Sequence, residues 1–152
     1  MSDADISDPG MSDPGMSDST LQRLGGDPPS PYEGMYGFSR VAVVGGFVLV
    51  GGTTSVNADG VVLGTTPYEQ TVEILGKIEH ELSRVGVSLN DVVSTRVYVT
   101  DISRSEEVGR AHGEVFGEIR PLMTMVGIEG LIDPRMLVEV ETVALAPASA
   151  SA

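Results

Sequence analysis

The chain has 152 residues, one domain's worth, with 9 Lys and Arg against 22 Asp and Glu and a formal net charge of −13 at pH 7. It contains no cysteine, which excludes a disulfide framework, a thiolate zinc site and a cysteine nucleophile together. Residues 1–30 carry −5 and the remainder −8, with no run of Lys or Arg to neutralise phosphates, so nucleic acid and anionic membranes are poor partners.

In chain order, the opening "MSDADISDPGMSDPGMSD" repeats itself and is built of Asp-Pro-Gly turn chemistry with no apolar face. Residues 1–30 therefore read as a disordered acidic tail, 31–146 as the folded domain, and 147–152 as a second loose tail. Met1, Met11 and Met16 each begin "MSD", which allows a later start of translation. The acidic opening is not a signal peptide, and no apolar run approaches the ~20 residues of a membrane span, so a cytoplasmic protein is expected.

Next come "SRVAVV" and "FVLVGGTT", two β-branched runs joined by Gly45-Gly46, a two-residue hairpin signal. "NADG" is a turn leading to a short strand at Val61–Leu63. A helix follows: Thr66 caps it, Pro67 suits its first position, and Glu69 completes a capping box. Its apolar stripe is Val72, Leu75, Ile78, Leu82 and Val85, and Gly86 ends it. "DVVSTRVYVT" alternates as a strand, with Val92, Ser94, Arg96 and Tyr98 on one face and Val93, Thr95, Val97 and Val99 on the other. "SRSEEVGRAHGEVFG" reads as a second helix capped by Ser103 and Glu106. "LMTMVGI" and "MLVEVETVALA" close the chain as strands.

The order β-β-β-α-β-α-β-β predicts an α+β fold, a mixed sheet with two helices on one face. The last strand buries Val138, Val140, Thr142 and Ala144 on one side. Its other side carries Glu139 and Glu141, roughly 7 Å apart, beside Leu137, Val143 and Leu145. Such a face is neither wet nor core, and subunit association with clefts between protomers fits it.

Four blocks, "FSRVAVVGGFVLVGGTT", "VGVSLNDVVSTRVYVTDI", "FGEIRP" and "LVEVETVA", resemble the Rid (reactive intermediate deaminase, YjgF-type) family in order and spacing, from Phe38 to Ala146. The resemblance implies a chorismate-mutase-like fold and a homotrimer with a central barrel. It also implies small-molecule ligands in the inter-subunit clefts, and hydrolysis of enamines and imines such as 2-aminoacrylate with no metal or cofactor.

Carried over residue by residue, the family's water-activating glutamate falls on Glu139, the catalytic candidate. The arginine that grips a substrate carboxylate falls on Met123, so the sequence is divergent there. A frequent cysteine falls on Met125, an aromatic hydroxyl on Phe38, and a serine on Gly51. Arg120 matches the Arg-Pro position, a brace at the strand entry. Arg40, beside Phe38, is the better candidate for a replacement clamp, the alternative being a solvated strand residue. Phe38, Arg40, Gly51, Arg120, Met123 and Met125 are thus the expected ligand-binding set.

Other residues read more simply. Arg96 pairs with a carboxylate, Glu141 pairs with Arg96 or Arg120, His112 is a satisfied histidine between helix and sheet, and His80 is solvated. The two histidines lack metal-ligand spacing. The leading expectation is deamination of an enamine or imine with altered specificity. The alternative is a non-catalytic trimer that binds a metabolite or a protein partner. A ribonuclease fails on the acidic balance and the absence of a basic groove.

Overall fold

The computed structural model describes residues 21–147; the repeats of the first twenty residues and most of the expected C-terminal tail lie outside them. The elements are β1 (Gln22–Leu24), α1 (Pro31–Tyr36), β2 (Val41–Val44), β3 (Phe47–Thr53), α2 (Pro67–Ser83), β4 (Val92–Val99), α3 (Ser105–Phe116), β5 (Leu122–Gly127) and β6 (Val138–Leu145). The six strands form one mixed sheet in the order β1-β2-β3-β6-β4-β5. Only β4 and β5 run parallel, because α3 crosses over between them; every other pair is antiparallel.

The expected hairpin forms at Gly45-Gly46, whose φ values of 55° and 84° are those a tight two-residue turn needs between Val44 and Phe47. The α2 capping box also forms. The Thr66 hydroxyl accepts from the Glu69 N–H, and the Glu69 carboxylate accepts from the Thr66 N–H. α2 and α3 pack on one sheet face, where Ile74, Ile78, Leu82 and Phe116 meet Val97, Val138, Val140 and Ala144. The other face is left bare by the helices and exposes Phe47, Leu49 and Leu145.

Several expectations need correction. Residues 21–30 are not a loose tail. β1 pairs with β2, the Asp27 N–H donates to Glu81, and the Arg84 guanidinium donates to the Gly25 carbonyl. α1 was not expected. Val61–Leu63 is not a sheet strand; it contributes a single bridge, Val56 to Val62. The Ser103–Glu106 box is absent. Asp101 instead accepts from the Ser103 N–H and hydroxyl, capping a 3₁₀ turn that leads into α3. Val72 points away from the core, and Gln70, Thr71 and Ile74 take its place on the buried stripe. A bulge between Val92 and Ser94 moves Val92 onto the buried face of β4.

Candidate active site

Glu139 sits on β6 opposite Tyr98 of β4, on the sheet face that the helices leave bare. On its other flank the β3 ladder is irregular between Val50 and Thr53. That irregularity brings Gly52 against the Glu139 carboxylate, so closely that a β-carbon at residue 52 would collide with Oε1. Gly52, not the expected Gly51, therefore fronts the acid. Gly51 is spent on the backbone, donating its N–H to the Arg40 carbonyl at 2.9 Å.

Among the described residues nothing hydrogen-bonds or ion-pairs with the Glu139 carboxylate. Burial, and then the charge of Glu141, push its carboxyl above the usual range; Arg40 pulls weakly the other way. Glu141 differs although it lies on the same face. It accepts from the Tyr98 hydroxyl at 2.8 Å and sits 4.0 Å from the Arg96 guanidinium. Both expected pairings, Glu141 with Arg96 and Arg96 with a carboxylate, are present. Two carboxylates one pleat apart thus have separate chemistry: one held, one free.

α1 supplies the opposite wall. Pro31 starts the helix, Glu33 accepts from the Ser30 N–H, and Gly37 ends it with φ 72°. Phe38 follows, 42 % exposed, and the Arg40 guanidinium lies 5.5 Å from its ring. Arg40 is not solvated and not free. It is 6 % exposed, paired at 3.3 Å with Glu33, itself 7 % exposed, and it also donates to the Gly52 carbonyl and the Thr53 hydroxyl. As a clamp for a ligand carboxylate it is already occupied; as a brace it fixes β3 beside Glu139.

Tyr32, Phe38, Arg40, Gly52, Ile132 and Glu139 bound a recess of about 70 Å³. That space holds about two waters. Gln70 positions the Ile132 side. Its fully buried amide donates to the Gly64 and Arg135 carbonyls and accepts from the Leu137 N–H.

Met123 and Met125 are not in this recess. β5 aligns them with Thr95 and Val97, whose side chains face the helices, so they lie on the other sheet face and two strands from Glu139. Arg120 is exposed at the entry of β5 with φ 57°, its N–H closing α3 on the Phe116 carbonyl. One protomer therefore gathers Phe38, Arg40 and Glu139, and leaves Arg120, Met123 and Met125 apart.

His112 is the expected satisfied histidine, 2.9 Å from the Thr95 hydroxyl and against Phe116, with burial lowering its pKa. His80 is exposed, 3.7 Å from Asp27. Among the described residues no cluster of three or more His, Asp or Glu could hold a metal ion, and no helix is long and apolar enough to cross a membrane.

Tyr32 and Glu33 escaped the sequence reading, although "SPYEG" holds Ser, Pro and Glu at helix-starting positions. Lys77 escaped it too, although it is the only lysine in the chain.

Comparison with known proteins places this architecture. The family model "Endoribonuclease L-PSP" matches residues 31–146. An uncharacterized protein of Streptomyces coelicolor is 38% identical over 112 residues, 74% of this chain and 84% of that one. The 3-aminoacrylate deaminase RutC of Acinetobacter baylyi is 35% identical over 75 residues, 49% of this chain and 59% of that one. A solved member of the YjgF/YER057c/UK114 family from Mycobacterium tuberculosis is 40% identical, with a TM-score of 0.74 over 83% of this chain and 99% of that one. The chain belongs to the endoribonuclease L-PSP family, whose members are also described as YjgF, RutC and Rid proteins.

Proposed function

We propose that the protein hydrolyses a small enamine or imine that lacks a carboxylate, with Glu139 as its proton-transfer group. The observation that carries this is the half-buried, unpartnered Glu139 carboxyl, held in its protonated form to higher pH than usual. A protonated carboxyl can give its proton to the enamine carbon, leaving an iminium ion. The carboxylate then takes a proton from water as the water oxygen adds to the iminium carbon. The same group returns that proton to nitrogen, ammonia leaves, and the hydroxyl proton comes back to Glu139 as the carbonyl forms.

The match to a 3-aminoacrylate deaminase supports this reaction class. The substrate restriction follows from the two positions where a clamp could stand. Met123 offers a polarizable apolar surface, and Arg40 is committed to Glu33 and Gly52. A ligand carboxylate buried here without a charged partner would be costly.

The site is completed, on this reading, between subunits of a homotrimer, where the bare sheet faces form a central barrel and β5 of one protomer brings Met123 and Met125 to another's Glu139, with Arg120 as a brace at the strand entry. The bare apolar face and the shallow recess support it. The same absence of a clamp favours a second reading, a trimer whose clefts bind a neutral metabolite without turnover.

Ammonia release from a carboxylate-free enamine separates the two readings. Turnover that disappears in Glu139→Gln supports the hydrolase, whereas binding without turnover supports the second. Turnover of 2-aminoacrylate at the level of an arginine-bearing relative would overturn the substrate restriction.

A further inference from the structure

A cavity larger than the Glu139 recess lies on the other side of Arg40, within a single protomer. It has a volume of about 510 Å³ and is bounded by α2, the 53–63 segment and the 26–33 segment. Ser30, Arg40 and Val56 line both this cavity and the Glu139 recess, so the buried Arg40–Glu33 pair is a wall between them. Val56, Ala58, Leu63 and Val72 give it an apolar lining, which explains why Val72 turns away from the core.

Lys77 reaches this cavity from α2. Its amine donates to the Thr54 and Val56 carbonyls, each at 2.7 Å, and among the described residues it has no carboxylate partner. Two of its three tetrahedral positions are thus fixed by neutral acceptors, and the third has no partner among the described residues. Between those two carbonyls lies Ser55, fully buried, with a hydroxyl that has no hydrogen-bond partner and a place in the same lining. A buried hydroxyl without a partner, in the lining that also holds the amine, is a polar group the described protein leaves unsatisfied.

We propose that this cavity is a second small-molecule site, in which the Lys77 amine condenses reversibly with an aldehyde or ketone. The nitrogen lone pair adds to the carbonyl carbon as one amine proton passes to the carbonyl oxygen, giving a neutral carbinolamine. Its hydroxyl then leaves with the remaining N–H proton as water, forming a C=N bond to Nζ. No oxidant or reductant is needed. Asp27, Glu33, Glu73 and Glu81 line the cavity, so the ligand is uncharged rather than a carboxylate. The site does not depend on the role assigned to Glu139.

Protonation favours the same chemistry. Burial and then the Arg40 charge bring the amine down to about 8, against the opposing pull of Glu33, Glu81 and Glu73. At pH 7.4 that leaves roughly a fifth of the amine unprotonated, against about one part in a thousand for an ordinary lysine.

The chain's sole lysine makes the test direct, since the only other amine is the α-amino group at the N-terminus. The full chain is treated with propionaldehyde and sodium cyanoborohydride at pH 7.4, and adducts at the two amines are counted by peptide mass mapping. Relative to the α-amino group, Lys77 is expected to react at least roughly tenfold faster in the folded protein than in urea. Gly76→Leu supplies the second arm. Gly76 lines the cavity and a β-carbon there meets nothing within 4 Å, so a leucine has room to enter the space beside Lys77. It should return Lys77 to the slow rate. Lys77 reacting no faster folded than unfolded, or equally fast in Gly76→Leu, overturns the proposal.

Discussion

Gly52 and Glu139 occupy adjoining space: the carboxylate lies where a side chain at residue 52 would begin. The atoms that a β-carbon meets are the carboxyl end of a flexible side chain, so Gly52→Ala should displace Glu139 rather than break the sheet. The expected outcome is loss of at least roughly 100-fold in enamine turnover, the scale of a lost general acid-base group, with a melting temperature within a few degrees of the parent. Steady-state ammonia release and a thermal melt check it. Full activity in Gly52→Ala would mean that the position of this carboxylate is irrelevant to the chemistry.

Glu139→Gln separates a site from a brace. With no partner for this carboxylate among the described residues, the amide strands no charge, and the large cost of breaking a buried ion pair, roughly 3–5 kcal/mol, should not appear. Turnover should vanish, because the amide exchanges no proton. Glu141→Gln, by contrast, removes the acceptor of the Tyr98 hydroxyl and should leave most of the turnover intact.

The pH dependence has a definite sign. The folded pKa of Glu139 lies above its unfolded value, so folding favours the protonated form. Its contribution is fully present below the unfolded pKa and is lost as pH rises through the folded pKa. The parent and Glu139→Gln should therefore melt alike near about pH 4, with the parent falling behind the variant toward neutrality. Parallel melting curves at every pH would show that this carboxyl is not shifted.

The buried ion pair is where stability should concentrate. Glu33→Gln leaves Arg40 buried without its counter-charge and weakens the start of α1, for a cost of roughly 3–5 kcal/mol. A chain beginning at residue 31 should also melt below one beginning at residue 21, because it loses β1 and the contacts of Asp27 and Gly25 with α2 and its end. Equal melting of the two truncations would show that β1 contributes nothing.

These contacts explain what the sequence could and could not tell. Val41–Val44, Val92–Val99 and Val138–Leu145 alternate or run as β-branched stretches, and Thr66-Pro67-x-Glu69 is a local cap, so sheet and helix were legible from neighbours a few residues apart. β1 is three residues in a segment rich in Gly and Pro, and it becomes a strand only because β2 offers an edge. Glu33 and Arg40 are seven residues apart across a helix end, a spacing with no periodic signature. Glu139 could be singled out as a carboxylate on a buried strand. That it would be free and Glu141 held depended on Tyr98, 41 and 43 residues away in sequence. Met123 could be assigned to the ligand only by resemblance, and its position on the opposite face shows why: the register of β5 against β4 is a tertiary property.

That opposite-face placement leads to the most discriminating experiment on the assembly. If each cleft joins Glu139 of one protomer to Met123 of another, Glu139→Gln and Met123→Trp spoil different halves of the site. Each variant alone should be inactive, the second because an indole fills the space left for the ligand. Unfolded together in equal amounts and refolded, they form mixed trimers. In these, about a quarter of the clefts pair an intact Glu139 with an intact Met123 from a neighbouring protomer. Recovery of about a quarter of the parent turnover is therefore expected, along with a trimer in sedimentation. No protomer in the mixture carries both intact residues, so recovery cannot come from a site built within one chain. A mixture that stays inactive, or a core that sediments as a monomer, would leave the Glu139 recess as a closed single-chain feature and remove Met123, Met125 and Arg120 from the site.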